Sequence, residues 1–233
     1  AFAHELAIIV HEGMRRMYQE QENVFYYLTV ANENYPQPGV PEHLSRDELR
    51  DGVLKGLYLF KPSSAKGAKL HAQLFGSGTI MNSVLEAQRM LEADYGVAAD
   101  VWSVTSYKAL HRDALITERR NRLNPGEAPE RSYAYTTLAD AKGVFVAASD
   151  YMKIQADALA RHLPKPMVAL GTDGFGRSEA REELRDFFEV DAKHVVLATL
   201  HALAQEGQLE ASAVVKARDA LGIRPDKADP YHD

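Results

Sequence analysis

No cysteine occurs among the 233 residues, so disulfide staples, thiolate nucleophiles and cysteine-based zinc or iron–sulfur sites are excluded from this stretch. Long apolar runs are missing too. Nothing approaches the ~18–20 residues that span a bilayer, and the first residues lack the basic, apolar and small-residue succession of a signal peptide. A positive excess is likewise absent. Against 27 Lys and Arg stand 33 Asp and Glu, a formal net charge of -6. The basic residues are scattered along the chain, so neither nucleic acid nor an anionic membrane surface is an expected partner. What is present is a 45% hydrophobic fraction, enough for one good core with a smaller appended piece. The expectation is a soluble, cytoplasmic protein that works on small molecules or protein partners.

Phe2, Leu6, Ile9 and Met17 fall near one helical face, widened by Val10 and Met14, and predict a helix over roughly 2–20. No Ser, Thr, Asp or Asn precedes it as an N-cap, and Ala1 is not an initiator Met. A piece of a longer chain is expected, with something upstream for this helix to pack on. Val24 to Val30 is continuously β-favouring and predicts a parallel-sheet strand buried on both faces. Asn32 to Pro41 then gathers turn formers and three prolines, which marks a linker or a functional loop. Ser45 with Glu48 forms a capping box for a short helix over about 46–55, and Leu57 to Phe60 is a short strand.

From Lys69 the pattern alternates strand and helix. Strands are expected at 70–75, 101–104, 144–148 and 167–170, with helices over about 79–95 and 106–122 and another starting near Asp150. Three helices finish the chain, at roughly 179–187, 192–206 and 211–220, with Gly207 and Gly222 as stops. Such βα units imply an α/β fold with a mostly parallel sheet and helices on both faces. The expected division is 1–40 as the tail of one domain, 41–66 as a linker with a short helix and strand, and 67–233 as a second domain.

Gly76-Ser77-Gly78 sits where a strand meets a helix, yet Met81 occupies the third glycine position of the dinucleotide fingerprint. A tight structural turn is the reading. Gly171 to Ser178 is the most unusual string, with Asp173 and Arg177 set among three glycines at the carboxyl edge of the expected sheet. These two residues are candidates for a ligand or subunit contact, and Ser178 is the expected N-cap of the next helix. His4 and His11, like His194 and His201, lie seven apart, too far to converge on one ion, so no metal site is expected from them. Acidic residues are mostly expected on solvated helix faces.

Gln21 to Thr29 with Asn32-Glu33-Asn34-Tyr35, then Phe75 to Gly78, Val101 to Ser106, Asp150 to Lys153, Gly171 to Ser178 with Arg181, and Phe188 to Ala192 follow one order and spacing along nearly the whole chain. In these the sequence closely resembles the thiamine-diphosphate-dependent first component of bacterial homodimeric pyruvate dehydrogenases, a transketolase-like family of three α/β domains. The resemblance implies that residues 1–40 end a pyrimidine-binding domain and that the rest is the C-terminal domain. It implies a parent that decarboxylates pyruvate on thiamine diphosphate with Mg2+ and passes acetyl to lipoyl-lysine of an acyltransferase component. The implied partners are the rest of the same enzyme chain, its dimer mate and that lipoyl-bearing component.

The family's activating glutamate, metal ligands and catalytic histidines belong to segments upstream of Ala1, so no catalytic and no metal residue is expected here. The loop Asn32, Glu33 and Asn34 resembles a substrate-contacting loop of related transketolases, and Asn32 stands where those have a substrate-binding arginine. Substrate contact and loop stabilisation both remain open for these three. The chain by itself is expected to be inactive and to bind no cofactor. The alternatives are a naturally separate structural subunit that completes a split thiamine enzyme, and an independent nucleotide-binding α/β domain.

Overall fold

A computed structural model describes residues 1–232. Its centre is a five-stranded sheet in the order β1-β3-β2-β4-β5, made of β1 (Leu57–Lys61), β2 (Leu70–Gly76), β3 (Val97–Val104), β4 (Val144–Ala148) and β5 (Met167–Leu170). The pairs β2/β3, β2/β4 and β4/β5 are parallel, and β1 adds an antiparallel edge to β3. Apolar side chains alternate along the buried strands and so feed two cores. Ala72, Leu74, Val101 and Val146 face α3 (Met81–Asp94) and α8 (Ala192–Gln205). Phe75, Trp102, Phe145 and Ala147 face the opposite layer, with α4 (Tyr107–Leu123), α5 (Tyr133–Leu138) and α6 (Ile154–Ala160). This is the expected α/β architecture, with its one antiparallel edge as the refinement.

The N-terminal helix α1 (Ala3–Met14) ends earlier than expected, passing into a π-helical turn over Arg15–Gln19. The Glu5 side chain takes the place of the missing cap residue, accepting from the Phe2 N–H at 2.8 Å. Glu5 departs from the expected solvated role. It is fully buried and accepts from Tyr58 Oη at 2.8 Å and Ser103 Oγ at 2.5 Å, which ties α1 to β1 and β3. Glu12 is also buried, accepting from Arg15 at 2.8 Å and from Arg50 of α2 (Arg46–Lys55) at 2.7 Å.

Helix α2 starts at the expected Ser45–Glu48 capping box and stops at Gly56, whose φ of 106° needs no side chain. Between them lies the main correction. Residues 24–30 form no strand: the segment belongs to no regular element and is unpaired, with Phe25 86% and Tyr27 84% exposed. β-propensity expresses itself only against a neighbouring strand, and no strand of the described sheet runs beside this segment.

Smaller departures follow from local chemistry. The strand expected at 101–104 begins four residues earlier, at Val97, because Val97, Ala98 and Ala99 pair with β2. Helix α5 was not expected from Tyr133-Ala134-Tyr135-Thr136-Thr137-Leu138, but the Ser132 hydroxyl accepts from the Tyr135 N–H and Tyr133 Oη donates to the Leu57 carbonyl. Helix α6 begins at Ile154, beyond a turn after Asp150. Helix α7 (Arg181–Phe187) has Ala180 as its N-cap, not Ser178, since residues 171–180 stay non-helical. Helices α8 and α9 (Ala211–Ala220) run as expected and are followed by Gly207 and Gly222, both in the left-handed region.

Candidate functional site

In the strand order, β2 leads to β3 on one side and β4 leads to β5 on the other. The crevice beyond the carboxyl ends of β2 and β4 is therefore the topological switch point, where open α/β sheets hold ligands. Three loops meet there. Gly78, after β2, takes a φ of 54° and lies against Asp150, the residue two beyond β4. Thr79 Oγ1 is 3.4 Å from Asp150 Oδ2, and Thr172, two beyond β5, donates its hydroxyl to the Asp150 carbonyl at 2.9 Å. The Lys153 N–H donates to Asp173 Oδ2 at 3.3 Å, which closes the turn before α6 onto the loop after β5.

Across this crevice runs residues 29–33 as a strap. Tyr151 Oη donates to Thr29 Oγ1 at 2.6 Å, Arg181 Nη2 donates to Asn32 Oδ1 at 2.7 Å, and Arg185 forms an ion pair with Glu33. Arg185 also reaches Thr79 Oγ1 at 3.3 Å. Beside the strap, Tyr35 Oη donates to the Ala1 carbonyl, and its phenol is pushed up by burial first and by the Glu33 carboxylate next. The strap leaves two cavities that share Ala31, Thr79 and Asp150. One, of about 360 Å³, is walled by Glu33, Thr172, Arg177, Arg181 and Arg185; the other, of about 400 Å³, by Thr29, Tyr35, Gly78 and Tyr151.

The two groups of residues singled out in the sequence therefore meet at one place. Glu33 and Arg177 line the first cavity, and Asn32 holds Arg181 there. Arg177 has its guanidinium 4.6 Å from the Phe187 ring centre. Asp173 sits behind the wall, where its charge adds to burial in raising the carboxyl of Asp157. Asn34 is exposed and lines neither cavity. Thr79, Asp150, Arg181 and Arg185 were not expected as site residues. The available signal was the spacing of Arg177, Arg181 and Arg185, four apart and so near one face of a helical path, which resembles any solvated charged face until the partner is seen.

Asp186, Asp191 and His194 are grouped closely enough to hold a metal ion. Lys193 and Lys227 already approach Asp186, Lys193 at 2.8 Å, and His194 Nδ1 is 2.7 Å from Asp191 Oδ1. Resident ammonium groups thus occupy the place a cation would take.

Residues 56–191 match the model of the Transketolase-like TK C-terminal domain, and the chain belongs to that family. Residues 1–38 match the Pyruvate dehydrogenase E1 component middle domain. More particularly, the chain is 47% identical over 230 residues to the Pyruvate dehydrogenase E1 component of Pseudomonas aeruginosa, covering 98% of this chain and 25% of that protein. With the Pyruvate dehydrogenase E1 component of Escherichia coli K12 it shares 45% identity over 232 residues, 99% of this chain and 25% of the relative. The chain thus spans about a quarter of the length of the curated relatives it matches and corresponds to a C-terminal portion of them. The transketolase of Leishmania mexicana superposes with a TM-score of 0.45 at 16% identity, over 67% of this chain and 19% of that one. No helix among the described residues is long and apolar enough to cross a membrane.

Proposed function

We propose that this chain is the C-terminal part of a cytoplasmic pyruvate dehydrogenase first component, which decarboxylates pyruvate on thiamine diphosphate with Mg2+ and transfers acetyl to lipoyl-lysine of an acyltransferase. The observation that carries this reading is the succession of two matches, a pyruvate dehydrogenase middle domain at 1–38 and a transketolase-like C-terminal domain at 56–191, in a chain 47% identical to one such enzyme over nearly its full extent. In this reading residues 1–40 are the tail of the pyrimidine-binding domain, 41–66 a linker whose strand extends the sheet edge, and 67–233 the C-terminal domain. The strap bearing Asn32, Glu33 and Asn34 borders the active site of the dimeric parent.

Thiamine diphosphate supplies the electron sink for carbanion chemistry when bound. Among the described residues the one cluster spaced for a metal ion is filled by Lys193 and Lys227. No chemical step is assigned to this chain. Its part is to hold the strap through Tyr151, Arg181 and Arg185 and to support the dimer.

The test compares the 233-residue chain with the full-length enzyme in pyruvate-dependent reduction of an artificial electron acceptor, both with thiamine diphosphate and Mg2+. The full-length protein is expected to turn over and the chain alone to give no rate above blank. Turnover by the chain alone, or a full-length protein inert toward pyruvate, overturns the reading.

A further inference from the structure

We propose that the 360 Å³ cavity is a binding site for a small organic oxyanion, a carboxylate or phosphate ester gripped by Arg177 and Arg181. This does not rest on the enzyme reading; it follows from the cavity's position and lining. The cavity opens at the switch point of the sheet, the place where this architecture leaves room for a ligand without disturbing the core. Three guanidinium groups line it against two carboxylates, Glu33 and Asp150. Arg185 is committed, held by Glu33 and Thr79 on a half-buried side chain.

The other two have donors to spare. A guanidinium carries five N–H bonds in a fork matched to carboxylate and phosphate. Arg181 uses one of them on the neutral Asn32 amide and keeps its Nε 3.8 Å from Glu33. Arg177 has no ion pair or hydrogen bond among the described residues; its stacking on Phe187 orients the guanidinium plane without consuming an N–H. The Thr172 hydroxyl and Thr79 add short polar groups to the same lining, while Ile80, Leu184 and Phe188 give an apolar wall for the carbon skeleton. Positive side chains in spare donor state beside an apolar wall select an anion with an organic body.

Glu33 tunes the site. Its carboxylate neutralises Arg185 and stands in the lining, so it both lowers the positive potential and repels an incoming oxyanion. Removing that charge should strengthen binding, an effect no loss of folding can imitate.

The experiment titrates the full-length protein, saturated with thiamine diphosphate so that the proposed cofactor's own diphosphate site does not take up the probe. The probes are inorganic phosphate and malonate, read by equilibrium dialysis against chloride at matched ionic strength. One equivalent per chain is expected for at least one probe; phosphate alone identifies a phosphate ester site, malonate alone a carboxylate site. The double variant Arg177→Gln with Arg181→Gln should bind about tenfold to a hundredfold more weakly, as loss of charge-assisted hydrogen bonds requires. Glu33→Gln should bind about threefold more tightly. Neither probe exceeding chloride, or both variants binding like the parent protein, overturns the proposal; if the arginine double variant does not fold, the direction of the Glu33→Gln change decides alone.

Discussion

At residue scale, two glycines show how one backbone conformation carries different costs. Gly143 and Gly96 both lie in the left-handed region, with φ of 77° and 63°. A Cβ on Gly143 would overlap the His71 carbonyl at the start of β4, whereas one on Gly96 would meet nothing within 4 Å. Gly96→Ala therefore carries only the conformational penalty, about 1 kcal/mol. Gly143→Ala adds a clash between two paired strands, and about 3 kcal/mol is expected. Urea unfolding midpoints of the two variants check this ordering; equal costs would mean that the β4 entry shifts freely away from His71. The sequence places Gly96 just past the helix expected over 79–95, and it follows α3 in the left-handed region. It gave no sign of Gly143, because close approach to a residue 72 positions earlier is a tertiary fact.

At the scale of elements, legibility followed how much each one depends on distant partners. Helix α2 was readable to the residue because Ser45, Glu48 and Gly56 settle its ends locally. The strands β4 and β5 were readable as short continuous apolar runs, Val144 to Ala148 and Met167 to Leu170, and β2 from Leu70, Ala72, Leu74 and Phe75 before a glycine turn. The segment at 24–30 carries the same signal, but its expression depends on a neighbour. The site divided along the same line: Glu33 and Arg177 stood out by their loops, whereas Thr79, Asp150 and Arg185 gain meaning only when three loops converge.

The contact between α1 and α2 belongs to this scale too, and it is sensitive to pH. Hydrogen bonds from Arg15, and then from Arg50, outweigh partial burial and hold the Glu12 carboxyl at about 2, against an ordinary value of 4.5. A carboxyl depressed in the folded state stabilises it above the ordinary value, and that contribution disappears as pH falls toward the folded one. Glu12→Gln should cost about 1 kcal/mol at pH 7, discounted because both arginines are well exposed. The deficit should shrink between pH 4.5 and about 2, where wild type carries a neutral side chain as well. Thermal melts of both proteins across that range measure it; a deficit constant with pH would remove the ion pairs as its cause.

At the scale of the whole molecule, one sheet buried on both faces stands beside an N-terminal piece that shows much of its apolar surface to solvent. Phe25, Tyr27 and Val30 are 86%, 84% and 72% exposed, and Val10, Met14 and Tyr18 lie exposed on the preceding helical stretch. Backbone protection should report the same contrast, since amides exchange slowly only where they are hydrogen-bonded and buried. In the 233-residue chain, amides of β2, β3 and β4 should be the slowest to exchange, being central in the sheet, and those of residues 24–30 should exchange within the earliest time points. In the full-length protein the proposed pyrimidine domain would offer 24–30 the neighbouring strands its sequence is suited to. The same amides should then slow by orders of magnitude while β2 to β4 stay as they are. Hydrogen exchange read by mass spectrometry on both proteins makes the comparison, and fast exchange of 24–30 in the full-length protein would mean that these β-favouring residues serve as an exposed connector and not as the last strand of a second sheet.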